Sequence, residues 1–96
     1  MDCEVHWSPR ARGNLRSVVD YLRRVEPNAI EPVLATIENK LGLLTRFPYL
    51  GSVFDRSPLR EIRETLAGSY RIFYEVDESI ERISIIALQH VRQAEP

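Results

Sequence analysis

Three strand-like runs close together at the end of the chain constrain its fold most. Residues 59–66 (LREIRETL), 69–76 (SYRIFYEV) and 80–88 (IERISIIAL) are separated only by Ala67-Gly68 and by the acidic turn Asp77-Glu78-Ser79. Turns this short let a chain reverse but not cross over, so the runs predict an antiparallel meander. The middle run alternates cleanly. Tyr70, Ile72, Tyr74 and Val76 fall on one face, and Arg71, Phe73 and Glu75 on the other.

The preceding half of the chain changes period. Residues 8–25 (SPRARGNLRSVVDYLRRV) carry Ala11, Leu15, Val18, Val19 and Leu22 at helical spacing. Ser8 suits the N-cap and Pro9 the first helical position, where a missing N–H costs nothing. Gly13 weakens the first turns slightly. A second helix starts near residues 28–32 and runs to about residue 45, with Ile30, Val33, Leu34, Ile37, Leu41 and Leu44 as its apolar stripe. Pro32 must lie in its first turn, because deeper in a helix it clashes with a preceding carbonyl. A short strand, CEVHW, opens the chain with Val5 and Trp7 on one face. Residues 46–58 read as the one long irregular stretch, held by Pro48, Gly51 and Pro58. The expected fold is α+β: an N-terminal strand, a helical hairpin, then a three-stranded antiparallel meander, with the helices on one face of the sheet. Residues 1–96 are expected to form a single domain, without repeats or linkers.

Composition narrows the function classes. No apolar run approaches the ~20 residues of a membrane span, and the N-terminus shows no basic region followed by an apolar stretch, so neither a membrane partner nor a signal peptide is expected. Cys3 is the only cysteine and His6 and His90 the only histidines. An internal disulfide is excluded, the cytoplasm is the expected location, and no metal site or cofactor is expected. The net charge is −1 and the isoelectric point about 6.1. A protein that lives on phosphate backbones usually carries a basic excess. Its positive charge is almost all arginine, with Lys40 the sole lysine.

Four segments, in this order and spacing, resemble the RelE/ParE superfamily of bacterial type II toxins. They are WSPRARGNL leading into the first helix, LGLLTRFPYLGS closing the second, LREIRETLAGSYRIFYEVD through the central hairpin, and LQHVRQ after the last strand. The resemblance covers essentially the whole chain and implies a small toxin neutralised by a cognate antitoxin. Such antitoxins embrace the toxin with a helix and an extended arm, covering apolar grooves and a sheet edge. Val53, Phe54 and Leu59 are the residues expected to meet it, being apolar where a monomer favours polar side chains. They would otherwise fold back as a lid on the core. DNA binding and promoter repression would belong to the antitoxin and not to this chain.

The superfamily divides by target, into ribosome-dependent mRNA endonucleases and inhibitors of DNA gyrase. Metal-free RNA cleavage needs a base for the 2′-hydroxyl, cations for the phosphate and an acid for the leaving oxygen. Resemblance to the nucleases makes Glu64, Arg71, Tyr74, His90 and Arg92 the candidate set, with Arg63 beside them. Two lysines of the best-known nucleases fall on Ile62 and Glu64, and no tyrosine follows Tyr74. The structural roles of the same residues are ordinary: Arg71 paired with Glu64 or Glu75, Tyr70 and Tyr74 half-buried, His90 capping backbone. A gyrase inhibitor needs no catalytic set, only a contact surface, and the His-x-Arg ending is similar to that of ParE-like members. Arg71, His90 and Arg92 are then the expected target contacts, with Arg16, Arg23 and Arg24 of the first helix a second such surface. The expectation is a ParE-like toxin that arrests growth by inhibiting DNA gyrase. The alternatives are a ribosome-dependent mRNA endonuclease and a degenerate member that only binds its antitoxin.

Overall fold

The computed structural model describes residues 2–93. In chain order it contains β1 (Glu4–Trp7), α1 (Pro9–Val25), α2 (Ile30–Arg46), β2 (Ser52–Ser57), β3 (Arg60–Ala67), β4 (Tyr70–Asp77) and β5 (Arg82–His90). A 3-10 turn over Pro27–Ala29 joins the helices, and another over Glu78–Ile80 joins β4 to β5. The strands form one sheet in the order β1-β5-β4-β3-β2. Strands β2 to β5 run antiparallel to their neighbours, and β1 lies parallel to β5. This is the expected α+β architecture, with one strand more than the alternating runs announce. SVFDRS, inside the stretch expected to be irregular, is an outer strand paired with β3. It escapes the alternation rule because it is mostly exposed, pairs on one side only, and is bulged between Val53 and Asp55.

The helices form where capping and periodicity place them. The Ser8 hydroxyl oxygen accepts the Ala11 N–H at 3.0 Å and Pro9 opens α1. Arg23 and Arg24 sit in its last turn, where cations offset the exposed carbonyls. Ala11, Leu15 and Val18 pack on the sheet, as do Val33, Ile37, Leu41 and Leu44 of α2. They meet Ile72, Tyr74, Ile83, Ile85 and Leu88 from the central strands, all of them buried. Cys3 is buried in the same core, which pushes its thiol pKa up.

The face without helices has an apolar centre of its own. Phe73 is 1% exposed because the Phe54 ring stands edge-on against it, centroids 4.9 Å apart. The β2 bulge supplies that contact, since the irregularity in pairing falls at Phe54. A second bulge leaves Ile86 unpaired between Ala87 and Ile85. There the Ser8 hydroxyl donates to the Ile86 carbonyl at 3.3 Å.

The loop from α2 to β2 is tied down by one phenol. Tyr74 is fully buried; its hydroxyl donates to the Pro48 carbonyl and accepts the Gly51 N–H, both at 2.8 Å. Gly51 has no alternative, because a Cβ there would stand 2.5 Å from the Glu64 carbonyl oxygen and 2.6 Å from the Tyr74 hydroxyl. From the other side the Arg63 guanidinium donates to the Gly51 carbonyl at 2.7 Å and lies 4.9 Å over the Tyr49 ring. Tyr49 in turn donates to Glu78 at 2.5 Å.

Two outcomes follow from this loop. Tyr74→Phe strands a buried N–H and a buried carbonyl, so urea denaturation should show a loss of about 1–3 kcal/mol. The hydrogen bond to Glu78, with burial and the Glu78 charge, raises the Tyr49 phenol from 10.0 to about 12. A raised folded-state pKa means that this contribution to stability is intact below pH 10 and is lost as pH climbs through about 12. Burial raises the Tyr70 and Tyr74 phenols as well. Ultraviolet titration of the phenolates should therefore show one tyrosine fewer among the late-ionising ones in Glu78→Ala than in wild type, with Tyr49 shifted back towards the ordinary range.

Candidate functional site

Register decides which candidate residues can act together. Across β3 and β4, Glu64 lies opposite Phe73 and Leu66 opposite Arg71; across β4 and β5, Arg71 lies opposite Gln89 and Tyr70 opposite His90. Successive strand residues point to opposite faces. Glu64, Leu66, Arg71 and Gln89 therefore share the open face, whereas Tyr70, which is in the core, puts His90 on the helix-bearing face. Tyr74 is on the helix-bearing face too, enclosed, with its hydroxyl bonded to two backbone groups. Burial pushes that phenol up. Arg63 lies on the same face, braced against the Gly51 carbonyl and paired with Glu61 at 2.9 Å.

The first surface is a groove where β3 runs beyond its β2 partner. The β2 pairing reaches only Ser52 opposite Glu64, which leaves residues 65–67 as free edge. Lys40 from α2 and Arg71 from β4 border the groove, with Glu64 between strands and Leu50, Leu66 and Val91 as its exposed apolar parts. One oxygen of Glu64 and the Gln89 amide oxygen are buried without a hydrogen-bond partner among the described residues. Glu75 is taken by Arg60, at 2.6 Å. Two cations beside a carboxylate and an apolar rim can hold an acidic group or a polypeptide edge.

The second surface is a cleft of about 560 Å³ between α1 and the end of β5. Asn14, Ser17, Val18 and Tyr21 recur at helical spacing on one side; Tyr70, Leu88, His90, Arg92 and Gln93 form the other. The His90 ring meets Tyr70 edge-on, centroids 5.3 Å apart, and its Nδ1 accepts the Arg92 N–H at 3.1 Å. The five residues of the nuclease set are thus divided: Glu64 and Arg71 in the open-face groove, His90 and Arg92 in the α1 cleft, Tyr74 in the core.

Val53, Phe54 and Leu59 are also dispersed. Val53 lies opposite Arg63 and is exposed, Phe54 covers Phe73 on the open face, and Leu59 stands 98% exposed at the tip of the β2–β3 hairpin. Arg16, Arg23 and Arg24 are exposed on α1, and Arg23 pairs with Asp20 at 3.2 Å. Lys40, Leu50 and Leu66 did not stand out in the sequence, although Leu66 occupies a position that alternation assigns to the open face. Asn14, Ser17 and Tyr21 share a helical face with Val18, a spacing masked by the stronger apolar stripe beside it. Among the described residues, no group of three or more His, Cys, Asp or Glu is placed to hold a metal ion. No helix among the described residues is long and apolar enough to cross a membrane.

A family model described as the ParE toxin of the type II toxin–antitoxin system parDE matches residues 5–95. The chain belongs to the ParE toxin family. It is thus a toxin of the RelE/ParE superfamily, and solved structures share its fold. A chain from the chromosomal ParDE system of Pseudomonas aeruginosa superposes with a TM-score of 0.70 at 15% identity, covering 93% of this chain and 96% of that one. A chain of the toxin–antitoxin complex RelBE2 from Mycobacterium tuberculosis gives 0.66 at 23% identity, covering 94% and 99%. A chain of the archaeal RelE–RelB complex from Pyrococcus horikoshii gives 0.67 at 15%, covering 98% and 100%. At such identities the likeness is one of fold. No curated protein matches the chain by sequence.

The bond from Arg92 N–H to His90 Nδ1 sets the state of the neutral ring, which must carry its proton on Nε2. Long-range nitrogen–proton spectra of this ParE-family toxin should show the Nε2–H tautomer for His90, and Gln93→Ala, which leaves that bond in place, should not alter it.

Proposed function

We propose that this ParE-family toxin arrests growth by inhibiting DNA gyrase through protein–protein contact, and that a cognate antitoxin neutralises it. The observation that carries the reading is the division of the candidate side chains. Glu64 and Arg71 face away from the helices, His90 and Arg92 face α1, and Tyr74 is locked into the core. Acid–base cleavage of RNA requires its base, cations and acid within hydrogen-bond reach of one phosphate. A contact inhibitor has no such requirement, and its residues can be spread over two surfaces. The net charge of −1 also favours a protein target over the polyanionic interior of a ribosome. The chain is cytoplasmic on this reading, where gyrase works.

The antitoxin reading is supported by the outer strand β2 and by the exposed Val53 and Leu59 beside it. An unpaired edge with apolar side chains invites an extended arm from a partner. The solved relatives named above are chains of toxin–antitoxin systems. Phe54, already packed on Phe73, would hold the strand in shape for that arm.

One observation favours a second reading, ribosome-dependent mRNA cleavage. Glu64 and Arg71 line the same groove, with Lys40 beside them and one Glu64 oxygen unpartnered. A carboxylate and two cations on one surface are a partial set for phosphate chemistry.

The experiment is supercoiling of relaxed plasmid by purified gyrase and ATP, titrated with the toxin freed from its antitoxin. The expected result is loss of supercoiling or accumulation of cleaved plasmid, undiminished by Glu64→Gln. Full supercoiling at molar excess of a protein that still stops growth in cells would overturn the gyrase reading. Message cleavage on programmed ribosomes, abolished by Arg71→Ala, would then establish the second.

A further inference from the structure

In the cleft between α1 and the end of β5, the Asn14, Gln93 and His90 side chains have their acceptors already used and turn donors to the ligand space. The Asn14 amide oxygen accepts the Leu88 N–H at 3.0 Å, which leaves the Asn14 NH2 as its free end. The Gln93 amide oxygen accepts the His90 N–H at 2.6 Å and leaves its NH2 likewise. His90 Nδ1 accepts the Arg92 N–H at 3.1 Å, so the ring offers the cleft an Nε2–H. Arg92 has only donors. Ser17, Tyr21 and Tyr70 add hydroxyls, and no carboxylate lines the cleft among the described residues.

The three hydroxyls can also accept, but the two amides, the imidazole and the guanidinium present only donors, so the balance of the cleft favours an acceptor-rich ligand. The charge selects further. One guanidinium among neutral donors balances a single negative charge, which fits a carboxylate better than a phosphate dianion. Val18, Leu88 and the faces of Tyr21 and Tyr70 supply apolar wall beside the donors. We propose that this cleft binds the carboxylate of an acidic side chain in a partner polypeptide, seated on Arg92 and the His90 Nε2–H, with a neighbouring apolar side chain of the partner against Val18, Leu88 and Tyr21. The inference rests on the reading that the chain works through polypeptide partners, and holds whichever target is inhibited.

The test is chemical-shift mapping on the isotopically labelled full chain with three probes: the peptide acetyl-Leu-Glu-Leu-amide, the same peptide with Gln for Glu, and adenosine monophosphate. The acidic peptide should shift the signals of Asn14, Ser17, Tyr21, His90 and Arg92. The Gln peptide should bind about tenfold more weakly, the size of one charge-assisted hydrogen bond. Arg92→Ala, an exposed position whose loss leaves the rest of the spectrum in place, should weaken the acidic peptide by about the same factor. Equal binding of the two peptides, tighter binding of adenosine monophosphate, shifts centred on Lys40 and Arg71, or no shifts at millimolar peptide would each overturn the proposal. A chain that inhibits gyrase yet fails this mapping loses the cleft alone. A chain that passes it but leaves supercoiling intact loses the gyrase reading alone.

Discussion

The buried hydroxyl of Tyr74 ties the loop after α2 to the middle of the sheet. Its ring fills the core beneath the helices, and its oxygen reaches through to the Pro48 carbonyl and the Gly51 N–H. These two bonds fix where the chain leaves α2 and where β2 begins. Because the loop is pinned there, Gly51 must approach the Glu64 backbone, and β2 enters its pairing at Ser52 opposite Glu64. The end of that pairing in turn leaves residues 65–67 of β3 as free edge, which creates the groove containing Arg71 and Lys40. A buried phenol with both hydrogen-bonding directions satisfied makes the loop as ordered as the sheet.

The two faces of the sheet are finished differently, and this separation shapes function. The helix-bearing face is a continuous core from Ala11 and Ile37 down to Ile83 and Leu88. The other face is centred on the Phe54–Phe73 contact, with charged residues around it. Strand alternation then sorts neighbours in sequence onto different surfaces, so that Tyr70 and Arg71, one residue apart, serve different clefts. An inhibitor that holds a large partner can use both faces. A nuclease centre needs its groups on one.

The edges of the sheet carry the same contrast. Strand β1 stops at Trp7 opposite Ile85, and the exposed backbone of β5 beyond it is met by the Ser8 hydroxyl at Ile86 and by Asn14 at Leu88. Side-chain caps of this kind close an edge against strand addition. The bond to Leu88 also uses the Asn14 amide oxygen, which leaves its NH2 as the remaining hydrogen-bonding group beside the neighbouring cleft. The outer strand β2, by contrast, is mostly exposed along its length.

Local patterns in the sequence determined both helices, the Ser8 cap, the three alternating strands and the short turns between them, because each depends on residues within one or two turns of each other. The order and spacing of those elements also placed the chain in its superfamily. What local pattern does not carry is the outcome of packing between distant segments. β2 was illegible because an edge strand with a bulge needs no alternation, and Phe54 gains its meaning only from Phe73. The division of Glu64 and Arg71 from His90 and Arg92 follows from a register set by the whole meander and its bulge at Ile86. Tyr74 has the look of a functional tyrosine on a strand, but only the fold brings Pro48 and Gly51 to its hydroxyl. The sequence by itself thus determined the elements and their family, through short-range capping and periodicity. The tertiary structure alone decided which side chains share a surface, because that depends on register, bulges and buried hydrogen bonds between parts of the chain far apart in sequence.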